Sequence, residues 1–295
     1  MELFRTEFRA MGGANEILVA ATRQGDATAA MESAVREVLR IEAKYSRYRE
    51  DSVISQINSA AGADRRIDVD EETSTLLDFV DALYRQSDGL FDITSGVLRQ
   101  AWDFRVPRLP EAHVVDALRQ RIGWNRVERE GRTIRLPDAG MEIDFGGFGK
   151  EYAADRAATV LTENGLSHGY VNLGGDVCAI GPQADDTPWL IGIQNPRRPR
   201  EILATIPVTR GALATSGDYE RYFELDGRRY CHVLDPRSGW PVSHWASVTV
   251  VAPMAIVAGS YATITMLKER EGTEFLSAAR VKHLCVDNSG NIFSN

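Results

Sequence analysis

The chain has 295 residues, of which 43% are hydrophobic and 26% charged, and this composition is typical of a globular protein with a substantial core. Its net charge of −8 argues against non-specific binding to nucleic acid or to an anionic membrane surface. The first residues carry charges throughout and show no signal peptide, lipobox or membrane span, and the three cysteines form no metal motif. We therefore expect a cytoplasmic protein with buried, reduced thiols.

Local periodicity predicts one strand and three helices in the first third of the chain. The strand is predicted over Ile17–Ala21, where apolar residues are concentrated. Apolar residues then repeat at helical spacing from Ala27 to Tyr45 and again from Glu71 to Ser87. Between these two helices, Ser52 is a good N-cap for a short helix that reaches Asn58.

The segment Met141–Asp155 is the most informative part of the chain. Apolar residues alternate with polar ones from Met141 to Phe145, which predicts a strand with one buried face. A glycine turn follows, and a helix then begins with Lys150 and Glu151 in its first turn. Such a turn can bind a phosphate through its outward N–H groups, or it can simply connect a strand to a helix with tight packing.

The second half of the chain is richer in strands than in helices. One more helix is predicted after Pro253, which suits the first turn of a helix. The predicted strands are His168–Leu173, Val177–Ile180, Trp189–Gln194, Ile202–Val208, Ala212–Ser216, Tyr219–Leu225, Arg228–Leu234, Ser247–Ala252, Val281–Val286 and Asn291–Phe293. These patterns predict an α+β fold with mixed or antiparallel sheets and packed helices. With no linker or repeat, residues 1–295 are expected to form one unit, either as one large domain or as two intertwined subdomains.

His232 lies in a predicted strand, three residues before Asp235, which begins a tight turn that closes at Gly239. A lone histidine in a strand is more often a hydrogen-bonded core residue than a catalyst. The catalytic interpretation gains support because Thr215–Gly217 leads into the same hairpin. No Gly-x-Ser-x-Gly elbow is present, and the five dispersed histidines form no zinc motif.

Several of these patterns occur together in the order found in one protein family. The segments are Met11-Gly12, Tyr45–Asn58, Gly89–Trp102, Asp144–Asp155, Val171–Gly175, Thr215–Gly217 and His232–Gly239. Through them the chain resembles the ApbE-like flavin transferases, the FAD:protein FMN transferases, over nearly its whole length.

The resemblance implies an α+β protein that binds FAD and splits its pyrophosphate with magnesium. The FMN phosphoryl group passes to a Ser or Thr hydroxyl of an acceptor flavoprotein, and AMP leaves. Phosphoryl transfer depends mostly on positioning and on neutralising charge, which suits a glycine turn, a lysine and a divalent cation. Two alternatives remain: an FAD-binding carrier or accessory protein without transferase activity, and a magnesium-dependent pyrophosphatase that releases FMN and AMP.

The resemblance also implies functional residues. His232 is the expected catalytic residue, as a base or as a charge stabiliser beside the pyrophosphate. Tyr48, Phe91 and Trp102 are expected around the isoalloxazine ring, because aromatic faces flanked by polar groups suit a flavin. The complete expected FAD site comprises Met11, Ser46, Tyr48, Phe91, Asp92, Thr94, Trp102, Asp144, Lys150, Gly174, Gly175, Ser216, His232 and Asp235.

The metal site departs from the family pattern. In the family the ligands are a backbone carbonyl, matching Gly149, and an Asp and a Thr at i, i+4 on a late helix, which share one face. Here Thr263 is present, but the Asp position is Gly259, while Glu151 replaces a glycine beside the carbonyl ligand. One hypothesis is that Glu151 replaces the missing ligand. The alternative is a solvated acid that complements the helix dipole, with weakened or lost magnesium binding.

Overall fold

The computed structural model describes residues 1–295, and its regular elements are fifteen strands and seven α-helices. The strands are β1 (Glu2–Ala10), β2 (Gly13–Ala21), β3 (Ile67–Asp68), β4 (Glu128–Glu130), β5 (Thr133–Arg135), β6 (Gly169–Leu173), β7 (Asp176–Gly181), β8 (Trp189–Asn195), β9 (Arg198–Val208), β10 (Gly211–Gly217), β11 (Tyr222–Leu225), β12 (Arg228–Cys231), β13 (Trp245–Ala252), β14 (Lys282–Asp287) and β15 (Ile292–Ser294). The helices are α1 (Gln24–Tyr45), α2 (Val53–Ser59), α3 (Glu71–Gln86), α4 (Ala112–Arg119), α5 (Gly149–Glu163), α6 (Ala255–Lys268) and α7 (Gly272–Ala278).

An eight-stranded antiparallel sheet forms the centre of the fold, in the order β1-β2-β6-β7-β10-β13-β14-β15. Helices α1, α5 and α6 pack side by side on one face of this sheet. The β8–β9 hairpin packs on the opposite face. Cys178 of β7 contacts Asp155 of α5, so its neighbour Ala179 points the other way and meets Trp189 and Val208. The predicted α+β class with antiparallel sheets is confirmed. No helix is both long enough and apolar enough to cross a membrane.

Most predicted helices and strands are present with small shifts at their ends. Ser52 caps α2 as predicted, because its side chain accepts a hydrogen bond from the Ser55 N–H at 3.0 Å. Strand β1 was not predicted. It pairs along its whole length with β2, from Glu2 opposite Ala21 to Ala10 opposite Gly13, and forms one edge of the sheet.

The prediction of a strand at Met141–Phe145 is wrong, although the alternation on which it rests is real. Met141, Ile143 and Phe145 are buried in the main core, yet the segment belongs to no sheet. The Asn58 side chain takes the place of a partner strand. It accepts from the Ile143 N–H at 2.7 Å and donates to the Ile143 carbonyl at 3.0 Å. Burial therefore alternates as in a strand, while the backbone bonds to the Asn58 side chain and, through the Asp144 N–H at 2.9 Å, to the Ile93 carbonyl.

Asp155 fixes α6 against α5. Its two carboxylate oxygens accept hydrogen bonds from the N–H groups of Ala255 and Ile256, at 2.7 and 2.9 Å, and so cap the first turn of α6. Burial raises the pKa of Asp155, and the two backbone hydrogen bonds oppose that shift. Because α5 carries Glu151 and α6 carries Gly259, this cap also sets the distance between two positions of the candidate site.

Replacing Asp155 with Ala is expected to destabilise the fold by about 2 kcal/mol, because two N–H groups of α6 lose their acceptors. The measurement is the free energy of unfolding from urea denaturation followed by circular dichroism. Glu163→Ala is the matched control, since Glu163 is an exposed acid on the same helix and its loss should change stability by less than about 0.5 kcal/mol. Equal stabilities of the two variants would contradict the assigned cap.

Candidate functional site

Lys150 and Asp176 form the centre of the candidate site, where the first turn of α5 meets the turn between β6 and β7. The Lys150 Nζ lies 2.5 Å from Asp176 Oδ2, and the other oxygen of Asp176 accepts from the Thr215 N–H at 3.0 Å. The backbone of Gly174 has φ of +58°, which is costly for other residues, and its bare Cα faces the Lys150 side chain. Lys150 is therefore ordered by an acid and does not provide a free charge.

Glu151 is buried directly against Gly259. The Glu151 residue is only 8% exposed, and a Cβ built on Gly259 would lie 2.5 Å from its Cγ. Burial, followed by the negative charge of Asp176, raises the pKa of the Glu151 carboxyl. The alternative in which Glu151 is a solvated acid on the first helical turn is therefore wrong. Its side chain occupies the space that a larger residue at position 259 would need.

The oxygen atoms around Glu151 suit a divalent cation. Glu151 Oε2 is buried and has no hydrogen-bond partner, which is costly for a carboxylate oxygen. Thr263 lies one helical turn beyond Gly259, and its Oγ1 is 3.1 Å from Ser216 Oγ. No three His, Cys, Asp or Glu side chains of the chain come together as a metal-binding group. The donor set here instead combines carboxylate and hydroxyl oxygens, which are the hard ligands that magnesium prefers.

His232 directly follows β12 and faces the same region. Its N–H donates to the Arg221 carbonyl at 3.0 Å, which continues the β11–β12 pairing by one residue. The Nδ1 atom is buried and has no partner in the protein. Burial, with the added effect of the positive charges on Arg221 and Lys150, lowers the pKa of His232 to about 4. The imidazole is therefore neutral at pH 7, with one ring nitrogen free to accept a hydrogen bond.

This low pKa predicts an acid-sensitive fold. The unfolded chain binds a proton at His232 near pH 6.5, whereas the folded protein does so only near pH 4. Stability from this group is thus complete above about pH 6.5 and is lost as the pH falls to about 4, by up to about 3 kcal/mol. Urea unfolding at pH 7 and pH 4.5 should show a smaller acid loss for His232→Asn than for the unchanged protein. The exposed His113→Asn is the control, and an identical pH slope in all three proteins would contradict the shift.

Tyr48 is the exposed aromatic residue beside this cluster, with 80% of its surface accessible. Arg47 donates to the Tyr48 hydroxyl at 2.7 Å and forms an ion pair with Asp144. The hydrogen bond from Arg47 lowers the pKa of Tyr48, and the charges of Arg221 and Arg99 add to the effect. Asp144 also accepts from the Gly146 N–H at 2.9 Å, so this carboxylate orders the glycine turn before α5.

Phe91 and Trp102 do not offer the free ring faces that the flavin prediction requires. Both are only 4% exposed. Phe91 belongs to the main core, and its ring edge lies under Gly147. Trp102 stacks within an aromatic cluster with Phe223 and Tyr230 and donates from its indole N–H to the Gly239 carbonyl at 3.0 Å. Of the three predicted aromatic residues, only Tyr48 is open to a ligand.

Asp92 and Thr94, two residues of the predicted FAD site, are buried and have hydrogen-bond partners within the protein. Asp92 Oδ1 accepts from the Thr94 N–H and hydroxyl at 2.7 and 2.6 Å, and Oδ2 accepts from the Trp124 N–H at 3.0 Å. The Thr94 hydroxyl in turn accepts from the Gly123 N–H at 2.8 Å. Burial raises the pKa of Asp92 and these hydrogen bonds oppose the rise. The pair anchors the 123–124 loop.

Asp235 likewise shapes the backbone and does not reach His232. Its side chain accepts from the Arg237 N–H at 2.8 Å, and its carbonyl accepts from the Gly239 N–H at 2.7 Å. The predicted tight turn is therefore present, but His232 Nδ1 has no carboxylate partner. A His–Asp pair as an oriented base is not formed here.

The remaining predicted residues lie at turns around the same end of the sheet. The Met11 N–H donates to Glu42 Oε1 at 2.6 Å, and Ser46 ends α1 with its N–H on the Glu42 carbonyl at 2.9 Å. Gly175 continues the β6–β7 turn with φ of +99°, and its N–H donates to the Asn172 side chain at 2.9 Å.

Three residues of the cluster were not predicted: Arg47, Asp176 and Arg221. Arg47 and Arg221 act through partners that are distant in sequence or in the neighbouring strand, so local pattern gave no reason to select them. A signal was available for Asp176, because an acid directly after a double-glycine turn and at the start of an apolar strand needs a buried partner.

A model of the ApbE family matches residues 11–286 of the chain. Among curated relatives, the FAD:protein FMN transferase of Salmonella typhimurium is 32% identical over 237 residues, covering 75% of this chain and 66% of the relative. The protein of the same description from Escherichia coli K12 is 30% identical, with the same coverage. The match therefore spans just under two thirds of the length of these relatives.

Solved structures match over the whole chain. The ApbE protein of Thermotoga maritima has a TM-score of 0.91 and 30% sequence identity, covering 100% of this chain and 97% of that one. The flavin transferase ApbE of Vibrio cholerae has a TM-score of 0.90 and 26% identity, with the same coverage. The similarity of the fold thus extends from the first strand to the last.

Proposed function

The chain belongs to the ApbE family, and on this premise we propose that it is an FAD:protein FMN transferase. The observation that carries the proposal is the convergence of Lys150, Glu151, Thr263 and the neutral His232 at one end of the sheet. These groups come from α5, α6 and the β11–β12 hairpin, so we propose that residues 1–295 work as one unit.

The proposed reaction moves the FMN phosphoryl group from FAD to a Ser or Thr hydroxyl of an acceptor flavoprotein. The hydroxyl oxygen forms a bond to the phosphorus next to riboflavin, and the bond from that phosphorus to the bridging oxygen breaks. AMP leaves with the bridging oxygen and both bonding electrons. The hydroxyl proton passes to a base, for which His232 is the candidate because its imidazole is neutral.

In this scheme the ion pair between Lys150 and Asp176 fixes the position of the lysine side chain and leaves no free charge on it. The ion pair at 2.5 Å holds the lysine beside the β6–β7 turn, next to Gly174. Ser216 and Thr263 share a hydrogen bond at 3.1 Å and present hydroxyl oxygens to the same space. A pre-ordered site of this kind favours the charge redistribution of phosphoryl transfer.

We propose that magnesium binds at Glu151 and Thr263, with the Gly149 carbonyl as the third protein ligand. The unpartnered Glu151 Oε2 supports this assignment, since it is a buried acceptor without a donor. When bound, the ion would neutralise charge on the pyrophosphate oxygens. Asp176, which lies close enough to raise the pKa of Glu151, adds negative charge to the same region.

The flavin ring is proposed to stack on Tyr48, whose exposure contrasts with the buried Phe91 and Trp102. The aromatic cluster around Trp102 then supports the hairpin that carries His232 instead of contacting the flavin. The acceptor is proposed to be a flavoprotein with a target Ser or Thr. The cytoplasmic location stays a prediction.

The direct test is to incubate the purified protein with FAD and magnesium, with and without a flavoprotein acceptor, and to measure AMP by chromatography. We expect AMP only when acceptor is present, together with covalent flavin on the acceptor. AMP without acceptor would identify a pyrophosphatase instead. Binding of FAD, seen as thermal stabilisation, without any AMP would identify a carrier. Absence of FAD-induced stabilisation at saturating ligand would contradict the proposal as a whole.

A further inference from the structure

Arg221 and His232 lie side by side on one face of the β11–β12 hairpin. Tyr222 is paired with Cys231 and Phe223 with Tyr230, so Arg221 is directly opposite His232 in the antiparallel register. Opposite residues of two antiparallel strands point to the same face, with Cβ atoms about 5 Å apart. The two residues therefore present a cation and a neutral imidazole next to each other.

The same register shows which face this is. Phe223 and Tyr230 are buried with Trp102, and they lie two residues from Arg221 and His232 respectively. Residues two apart in a strand share a face. Arg221 and His232 therefore lie on the same face of the hairpin as the buried aromatic residues. They are at the end of that face where Arg221 is exposed to solvent.

Arg221 is the cation of this region that lacks an acidic partner. Lys150 is paired with Asp176, and Arg47 is paired with Asp144. Arg99, the third cation near Tyr48, is paired with Glu142. No carboxylate lies within ion-pair distance of Arg221.

We propose that Arg221 is a positioning residue that binds the phosphate next to riboflavin, the group that is transferred, and holds it against His232. This inference rests on the proposed function, since the phosphate that it assigns to Arg221 belongs to FAD bound in the same site. Three observations carry it: the free guanidinium, the adjacent His232 with its unpartnered buried Nδ1, and the nearby exposed Tyr48. A planar guanidinium binds phosphate oxygens in a bidentate manner, which a point charge cannot do.

Arg221 lies opposite the proposed base His232 and near enough to Tyr48, the proposed ring platform, for its charge to lower the pKa of the Tyr48 hydroxyl. These two neighbours make the choice of phosphate specific. An anion bound to Arg221 would therefore lie near both Tyr48 and His232. The phosphate joined to riboflavin meets both conditions. The adenosine side of FAD would extend away from this position, and Arg221 is not expected to contact it.

The test compares the dissociation constants of FAD, FMN and riboflavin for Arg221→Gln, Arg221→Lys and the unchanged protein, by quenching of flavin fluorescence. We expect Arg221→Gln to weaken FAD and FMN binding by roughly 10- to 100-fold and to change riboflavin binding by less than about twofold. Arg221→Lys should restore only part of the loss. Arg210→Gln is the control, because Arg210 is an exposed arginine before β10, at the opposite end of that strand from Ser216.

Two results would overturn the inference while leaving the proposed function in place. One is FMN affinity of Arg221→Gln equal to that of the unchanged protein. The other is an equal loss for FMN and riboflavin, which would mean that Arg221 supports the flavin ring or the hairpin. Failure of the unchanged protein to bind any of the three flavins would instead contradict the proposed function, and the inference with it.

Discussion

Glu151→Gly is expected to abolish magnesium-dependent release of AMP from FAD. The substitution removes the carboxylate that we assign to the metal, and Thr263 and the Gly149 carbonyl would remain without a charged ligand. Glu151→Gln is the matched variant, since it keeps the shape of the side chain against Gly259 and removes only its charge. Both variants should lose activity, whereas their thermal stability should stay within a few degrees of the unchanged protein.

The reciprocal substitution at position 259 should reveal the steric link between the two helices. Gly259→Asp alone places a Cβ 2.5 Å from Glu151 Cγ and adds a second acid beside it, so we expect loss of both stability and activity. The double variant Glu151→Gly with Gly259→Asp removes the clash and returns a carboxylate to the face of α6 that carries Thr263. It should recover stability and magnesium-dependent AMP release, so the two substitutions should be strongly non-additive.

These variants are compared by AMP release over a magnesium titration and by calorimetric titration of magnesium. A Glu151→Gly protein with the same magnesium dependence as the unchanged protein would contradict the assignment of Glu151 as a ligand. Additive effects of the two substitutions would contradict the contact between positions 151 and 259.

His232→Ala is expected to lower turnover by roughly 10²- to 10⁴-fold, the range that a general base contributes. The affinity for FAD should stay roughly unchanged, because the side chain is proposed to act on the acceptor hydroxyl and not to hold the flavin. Single-turnover transfer from bound FAD separates these quantities, and the exposed His113→Ala serves as the control. Loss of FAD binding, with normal turnover for each FAD that does bind, would identify His232 as a structural residue.

Local sequence was sufficient for most elements and for several parts of the site. Helical spacing predicted α1 and α3 closely, and Ser52 was recognised as a cap, because both depend on neighbours within one or two turns. The Met141–Phe145 prediction failed for a different reason. The alternating burial was predicted correctly. The backbone of Ile143, however, bonds to the side chain of Asn58, 85 residues earlier, and no local sequence pattern indicates that contact.

The sequence indicated which residues lie near the site better than it indicated what each of them does there. Asp92 and Thr94 were predicted to belong to the FAD site, and in the fold they accept hydrogen bonds from the N–H groups of residues 124 and 123 respectively. Whether Phe91 and Trp102 present a free ring face depends on tertiary packing, which aromatic composition does not reveal. Two departures from the family pattern, Glu151 and Gly259, suggested that one residue compensates for the other. The sequence could not show that their side chains are in contact, because that depends on α5 lying next to α6.

The strand order of the central sheet has a consequence for synthesis on the ribosome. From β6 onward each new strand of the sheet pairs with the one made before it, so the sheet can extend at a single edge as the chain emerges. The exception is the step from β2 to β6, because residues 22–168 intervene. At about 5–20 residues per second this gap lasts roughly 7–30 s, during which the inner edge of the β1–β2 hairpin has no partner. A nascent chain should therefore be most open to chaperone binding or aggregation in that interval and should become protected once Gly169–Leu173 has emerged.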